Sequence, residues 1–589
     1  MAPACRAPYC PPQSPSTGVL ACRAVAAACN PTTAITITVI PMPIALGAWR
    51  RLAVLACLLA AMPAAGAQAK VQPDILLIVA DDLGYSDIGA FGAEIATPNL
   101  DRLAEGGVRL ANFHAAPTCS PTRAMLLSGT DNHTAGVGAM AEAARPELAG
   151  RYGYEGRISD RVATLAERLG AAGYTSIMAG KWHLGMTPES LPSARGFDRS
   201  FALLQGGHNH VGHGGFGATL KGHMGVDYLD DGRPVTVADD FFSSDAFTDR
   251  LMEKIDQVAA DRPIFAFLSF TAPHSPLQAP SAFIDKYRGN YDGGWARLRD
   301  DRIARMKTLG LMDVRAFAGP LAPDAASWEQ LNSEQRRRAA RAMEVYAAMV
   351  DNMDWNIGRL LDHLEASGRG RDTLVLFLSD NGPAGQVAED YMVVPSVRER
   401  LEGADNSLDN LGAGESYVFY GPHWAAAGSA PFRLTKGAVT EGGTRVPAII
   451  AGAGIERRGA IGHAYGTVMD VVPTVLELAG VPLTDEVDGR AVAPVTGRSM
   501  VAHLRGQAAR VHPEDAAIVY ELHGQRSVVR GDWKLLWMPA PLGTGAWQLF
   551  NLAEDPGEHR DLAAELPDIR DRLIADWQAY VARAQVLVN

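Results

Sequence analysis

Five stretches of this 589-residue chain hold side chains whose types and spacing suit them to chemistry. They are Asp81-Asp82, Cys119-Ser120-Pro121-Thr122-Arg123, Lys181-Trp182-His183, His274 and Asp380-Asn381-Gly382. Asp81, Asp82, Asp380 and Asn381 are hard oxygen donors, a calcium-like set rather than a zinc-like one, since no Cys/His cluster accompanies them. Asp-Asn-Gly by itself is a common turn, and its weight comes from pairing with a second acidic strand end. Cys119 is the one cysteine expected to survive export, because Cys5, Cys10, Cys22, Cys29 and Cys57 lie ahead of or inside a candidate export signal. A lone thiol in an exported protein has no intramolecular disulfide partner. A buried free cysteine acts as a small hydrophobe, but the Cys-x-Pro-x-Arg context points to chemistry instead.

The Cys119 segment has a helix-start pattern. Ser120 suits the N-cap, Pro121 the first helical position, and Ser128-Gly129 the end. Cys119 is then expected just ahead of a helix amino terminus, where peptide dipoles favour developing negative charge. Arg123 lies about one helical turn further on, so its guanidinium can return toward position 119.

The elements that must position these groups share one pattern: an apolar run ends and polar chemistry begins. Ile75–Ala80 runs into Asp81-Asp82, Tyr174–Gly180 into Lys181-Trp182-His183, Ile264–Phe270 toward His274, and Thr373–Ser379 into Asp380-Asn381. Continuous apolar runs of this length are consistent with strands buried on both faces. Helical periodicity over Ser159–Ala172 and Ala339–Leu364 alternates with them. The expected fold is α/β: a large mixed, mostly parallel sheet flanked by helices. Ligands of such sheets bind beyond the carboxyl ends of the strands, so four chemically loaded ends point to one site. After Asp470 a short helix, Val471–Leu478, precedes four candidate strands around Ile518–Glu521, Arg526–Arg530, Trp533–Trp537 and Trp547–Phe550, then a helix over Leu566–Val581. They predict a small C-terminal antiparallel sheet with one helix.

A hydrophobic fraction of 47% and a charged fraction of 20% suit an ordinary globular chain. Residues 1–41 read as an upstream extension, and 42–67 as a secretory signal with Arg50-Arg51, an apolar core over Leu52–Met62 and a small-residue cleavage site at Ala65-Gly66-Ala67. That core is too short to span a bilayer, so the mature chain is expected in the periplasm or outside the cell, without stable membrane insertion. A catalytic domain is expected over 71–490 and a small α+β domain over 491–589. Loss of residues 1–67 removes four arginines and no acid, taking the formal charge from −12 to −16. Such a charge excludes long-range attraction to nucleic acid, and an anionic substrate must be met by a local cluster of cations.

Several motifs together resemble type I sulfatases of the alkaline-phosphatase superfamily, most of all bacterial arylsulfatases. They are Val79–Gly84, Ala96–Asp101, Cys119–Arg123, Ala179–Gly185, Ala272-Pro273-His274, Ser379–Gly382, Glu441–Pro447 and Gly531–Lys534. The resemblance implies that Cys119 is converted by a formylglycine-generating enzyme to Cα-formylglycine, whose hydrate is the nucleophile. It implies one Ca²⁺ held by Asp81, Asp82, Asp380 and Asn381, with modified Cys119 beside it. Arg123 and Lys181 hold the hydrate, and Lys181, His274 and Lys436 contact the sulfate. His183 assists turnover, Asp380 serves as base, and His274 or Lys436 as acid. The implied activity is hydrolysis of a small sulfate monoester to an alcohol or phenol and inorganic sulfate through a covalent sulfo-enzyme. Phosphate or phosphonate ester hydrolysis on the same scaffold is the alternative, and a non-catalytic anion-binding homologue the third reading. His208, His210 and His213 are expected in a flexible Gly-rich loop, Gly206 to Gly217, near the substrate mouth and without a metal. His114 and His133 carry no assigned role, and Trp182 is expected to pack.

Overall fold

The four long apolar runs become adjacent strands at the centre of one sheet. A computed structural model of the chain describes residues 72–143, 145–212, 228–312, 327–391 and 395–588. The extension and signal segments lie outside the described residues, as does the Gly-rich loop from His213 to Gly217. The described residues fall within one compact unit, Ala69–Asn589. Among them no helix is long and apolar enough to cross a membrane.

The large sheet has ten strands in the spatial order Ala460–Gly462, Gly107–Leu110, Ala448–Gly452, Thr373–Ser379, Asp74–Ala80, Ile264–Ser269, Thr175–Lys181, Arg199–Leu203, Tyr228–Asp230 and Arg233–Val235. The five from Thr373–Ser379 to Arg199–Leu203 are parallel neighbours, and antiparallel pairs extend the sheet on either side. Side chains on a strand alternate between faces. Leu76, Ile78 and Ala80 enter one core, with the helices Ser243–Ile255 and Ser333–Ala366. Ile75, Leu77 and Val79 enter the other, with the helices Cys119–Ser128 and Val471–Leu478. Two buried faces explain why these strands are apolar throughout.

Register lines up the strand ends. Ala80 pairs with Ser379, Val79 with Ser269, and Gly180 with Ser269. Everything after these residues in the four chains therefore emerges at one edge. A Cβ at Gly180 would lie 1.8 Å from the Ser269 carbonyl oxygen, so only glycine lets this strand approach so closely before Lys181.

Helix starts differ from the sequence expectation for identifiable reasons. The expected Ser159–Ala172 helix begins at Leu165, because Thr164 and Glu167 form a capping box that fixes the first turn. The long helix starts earlier than expected, at Ser333, where Asn332 and Gln335 cap a polar first turn that carries no apolar stripe. The C-terminal antiparallel sheet forms from Ala517–Leu522, Gln525–Arg530, Trp533–Trp537 and Trp547–Asn551, and packs on the helix Pro567–Ala584 through Val528, Leu535, Leu573 and Trp577.

Candidate active site

Cys119 is the first residue of the helix Cys119–Ser128, not the residue ahead of it as expected, and Thr118 takes the N-cap position. Pro121 therefore sits in the first turn rather than at its first residue. Proline is tolerated there because the first N–H groups of a helix have no intrahelical partner. The helix ends at Gly129, whose φ of 73° closes it with an N–H bond to the Met125 carbonyl.

The strand ends converge on the thiol. Cys119 Sγ lies 3.5 Å from Asp81 Oδ1 and 3.9 Å from Asp82 Oδ1. Asp82 and His183 have φ values of 68° and 55°, a left-handed conformation uncommon outside glycine and frequent at functional strand ends. Each buried carboxylate has its own cation. Lys181 Nζ donates to Asp81 Oδ2 at 2.7 Å, Lys436 Nζ to Asp82 Oδ1 at 2.6 Å, and Arg123 Nη2 to Asp380 Oδ2 at 2.8 Å. Lys436 also reaches Cys119 Sγ at 3.3 Å. Arg123 Nη1 donates to the Lys181 carbonyl at 3.0 Å, tying the helix to a neighbouring strand end.

These surroundings set the protonation states. Burial, reinforced by Asp380, pushes the Cys119 thiol well above its usual range, so an unmodified Cys119 is a neutral thiol and a poor nucleophile. Burial works against ionised Asp82, but Lys436, His274 and Lys181 outweigh it and hold its carboxyl below the usual range. Burial and the neighbouring Asp81 raise Asp380 despite Arg123, which favours proton acceptance there. Burial opposes the charged form of Lys181, but Asp81 outweighs it and keeps the ammonium charged. Burial, opposed by Asp82 and reinforced by Lys436, brings His274 down to about 3, a neutral imidazole. His274 Nδ1 lies 2.6 Å from the Ser275 carbonyl and is therefore the donor, which turns Nε2 to the site, 3.6 Å from Asp82 Oδ2.

The same cluster fits a hard divalent cation. Ligand atoms of Asp81, Asp82, Cys119 and His274 all lie within 4.8 Å of one another. Asp82 Oδ2 and Asn381 Oδ1 are buried and accept no hydrogen bond, although a buried carboxylate or amide oxygen normally has a partner. Oxygen atoms dominate the donors, which suits calcium or magnesium. His274 joins this group where the sequence reading had Asp380, whose Oδ2 faces Arg123 and whose Oδ1 accepts the Asp82 N–H at 3.2 Å. Asn381 borders it through Nδ2, 2.6 Å from Asp82 Oδ1.

Outside the cluster, His183 Nε2 bonds Glu142 Oε1 at 3.0 Å. Burial lowers the His183 pKa and Glu142 opposes that shift. Glu142 was invisible in the sequence because it sits in a short turn, Ala141–Ala143, without pattern. Ser269 was a missed signal: a polar last residue on an apolar strand, here donating to the Lys181 carbonyl at 2.7 Å. His210 is not in a flexible loop. It is fully buried, with Nδ1 2.7 Å from Ser243 Oγ and Nε2 2.9 Å from the His274 carbonyl, so it buttresses the segment that carries His274. Trp182 packs as expected, edge-on to Phe197.

The sulfatase family model matches residues 73–481, which hold all of these side chains. The chain belongs to the sulfatase family. An uncharacterized sulfatase of Schizosaccharomyces pombe is 44% identical over 526 residues, covering 88% of this chain and 94% of that protein. An arylsulfatase of Klebsiella aerogenes is 41% identical over 442 residues, covering 74% of this chain and 94% of the relative. The crystal structure of Ps i-CgsB shares the fold at a TM-score of 0.61 and 22% identity, over 86% of this chain and 92% of that one. Family and relatives make this sulfatase a sulfuric ester hydrolase.

Proposed function

We propose that this sulfatase hydrolyses aryl sulfate monoesters, with Cys119 carried as Cα-formylglycine beside a bound Ca²⁺. The observation that carries the proposal is the seating of Cys119 Sγ between the Asp81 and Asp82 carboxylates and the Lys436 ammonium. The hydrated aldehyde supplies the hydroxyl that attacks sulfur, a role the neutral thiol is unsuited to. Asp81, Asp82, Asn381 and Asp380 hold the cation, whose chemistry is to neutralise charge on the ester oxygens.

The chain's own residues do the rest. A sulfate monoester repels nucleophiles because its oxygens are negative. Lys181 and Lys436 bring positive charge to those oxygens, and Arg123 fixes Asp380 and the Lys181 backbone in place. Asp380 accepts the proton of the attacking hydroxyl. His183, oriented by Glu142, accepts the second proton as sulfate departs. Lys436 is the better proton donor to the leaving phenoxide, since it stays charged whereas His274 is held neutral.

The arylsulfatase relative supports an aryl leaving group. The finer expectations remain part of the proposal: a formylglycine-generating enzyme as maturation partner, export by the 42–67 segment to the periplasm or beyond, and a C-terminal domain starting near residue 491. Comparing kcat/KM for p-nitrophenyl sulfate and p-nitrophenyl phenylphosphonate tests the reaction class. A large preference for the sulfate is expected, and a large preference for the phosphonate overturns it.

A further inference from the structure

The loop that carries Lys436 is held mainly from the C-terminal sheet. Lys436 donates its own N–H to the Pro383 carbonyl at 3.1 Å, and Gly437 donates to the Pro117 carbonyl at 2.7 Å, two residues before Cys119. The next two peptide groups belong to Gln525. Its Nε2 donates to the Gly437 carbonyl at 2.6 Å, and its Oε1 accepts the Val439 N–H at 3.3 Å. One amide thus engages both sides of Ala438, two residues from a lysine that touches Cys119.

Gln525 is well suited to hold a position. It opens the strand Gln525–Arg530 directly after a two-residue hairpin turn, with Leu522 and Gln525 paired across it. His523 and Gly524, at φ 54° and 83°, give the turn the doubly positive geometry that matches strand twist. Gln525 is 6% exposed, so water competes poorly for its amide. Further along the loop, Val439 packs against Leu536, Met538 and Phe550 of the same sheet. Lys534 sits 2.8 Å from both Glu441 Oε1 and Glu558 Oε1, and Glu441 gives its N–H to Glu558 Oε2 at 3.0 Å. The loop is therefore anchored at its far end as well as at its centre.

We propose that Gln525 is a positioning residue for Lys436, and that through it the C-terminal sheet sets the distance between the Lys436 ammonium and the substrate sulfate. Its importance rests on Lys436 meeting the sulfate, as proposed above, and a double-mutant cycle separates the two ideas. Gln525→Ala, Lys436→Ala and the double variant are assayed on p-nitrophenyl sulfate, with thermal unfolding followed in parallel. Gln525→Ala is expected to lower kcat/KM about tenfold to a hundredfold, because a displacement of about 1 Å is enough for such a loss. On the Lys436→Ala background the same change is expected to do nothing further. Gln525→Glu is nearly isosteric and guards against a misfolded alanine variant. It keeps an acceptor for Val439 but presents a carboxylate to the Gly437 carbonyl, so a comparable loss is expected. Folded Gln525 variants with unchanged kcat/KM overturn the proposal, as does a loss that multiplies in full with that of Lys436→Ala. Full activity of Lys436→Ala alone instead overturns the role assigned to Lys436.

Discussion

Two buried charge clusters lie at opposite ends of the loop 433–445, and they are built differently. At one end Asp81, Asp82 and Asp380 face Lys181, Lys436 and Arg123, while Asp82 Oδ2 and Asn381 Oδ1 accept no hydrogen bond. At the other, Glu441 and Glu558 close on Lys534, with His114 2.9 Å from Glu441 and Arg433 3.3 Å from Glu558. Both contain ion pairs of similar length. The first leaves oxygen lone pairs open beside a special cysteine, so it is poised for a ligand. The second spends its charges on itself and on the backbone N–H of Glu441, so it ties the C-terminal sheet to the loop. Charge burial alone does not mark a site; unspent bonding capacity does.

The contrast is broken most severely from the closed side. Lys534→Met is expected to lower stability by about 3–5 kcal/mol, since it strands two buried carboxylates; urea unfolding measures it. Lys181→Ala in the calcium-loaded enzyme is expected to leave stability nearly unchanged, because Asp81 keeps a countercharge. Its kcat/KM is expected to fall about a hundredfold or more, equivalent to about 3 kcal/mol at the transition state. A Lys181→Ala enzyme that unfolds readily yet turns over normally would reverse the distinction. Chelation of the divalent cation is expected to lower the melting temperature of the wild-type protein, by about 3 kcal/mol if the free ion stood at a hundred times its dissociation constant. Magnesium or calcium readdition should restore it, and the ion that restores it at lower concentration identifies the better fit.

Smaller effects test the histidines that frame the open cluster. Glu142→Ala is expected to reduce kcat about tenfold through His183, with Glu142→Gln retaining part of the rate because it keeps an acceptor oxygen. A pH series tests His210. Burial depresses its folded pKa to about 4 from 6.5, so the unfolded chain binds the proton more readily. Its contribution to stability is full above pH 6.5 and is lost as pH falls toward 4. Unfolding midpoints at pH 7, 5.5 and 4.5 should show that slope, flattened in His210→Gln.

The central strands were legible because burial on both faces leaves an apolar run that stops where chemistry starts: Thr373–Ser379 was read to the residue, and Asp74–Ala80 to within one. The open cluster was legible for the same reason, since each of its acidic side chains follows a strand end directly. Lys436 came only from family resemblance, because no periodic element leads to it. Gln525 and Glu142 were hidden for a different reason. They act through partners 88 and 41 residues away in sequence, and a polar residue at a hairpin tip or in a turn looks the same whether it faces water or a loop backbone. His210 was misjudged because glycines around it suggested motion, whereas Ser243, Gln278 and the His274 carbonyl saturate it.

The central claim is tested most directly by mass spectrometry of the tryptic peptide Leu110–Arg123 from active enzyme. A mass about 18 Da below that of the cysteine form, reflecting replacement of the thiol by an aldehyde, is the predicted result. Fully active protein whose peptide carries an intact Cys119 thiol would contradict the account.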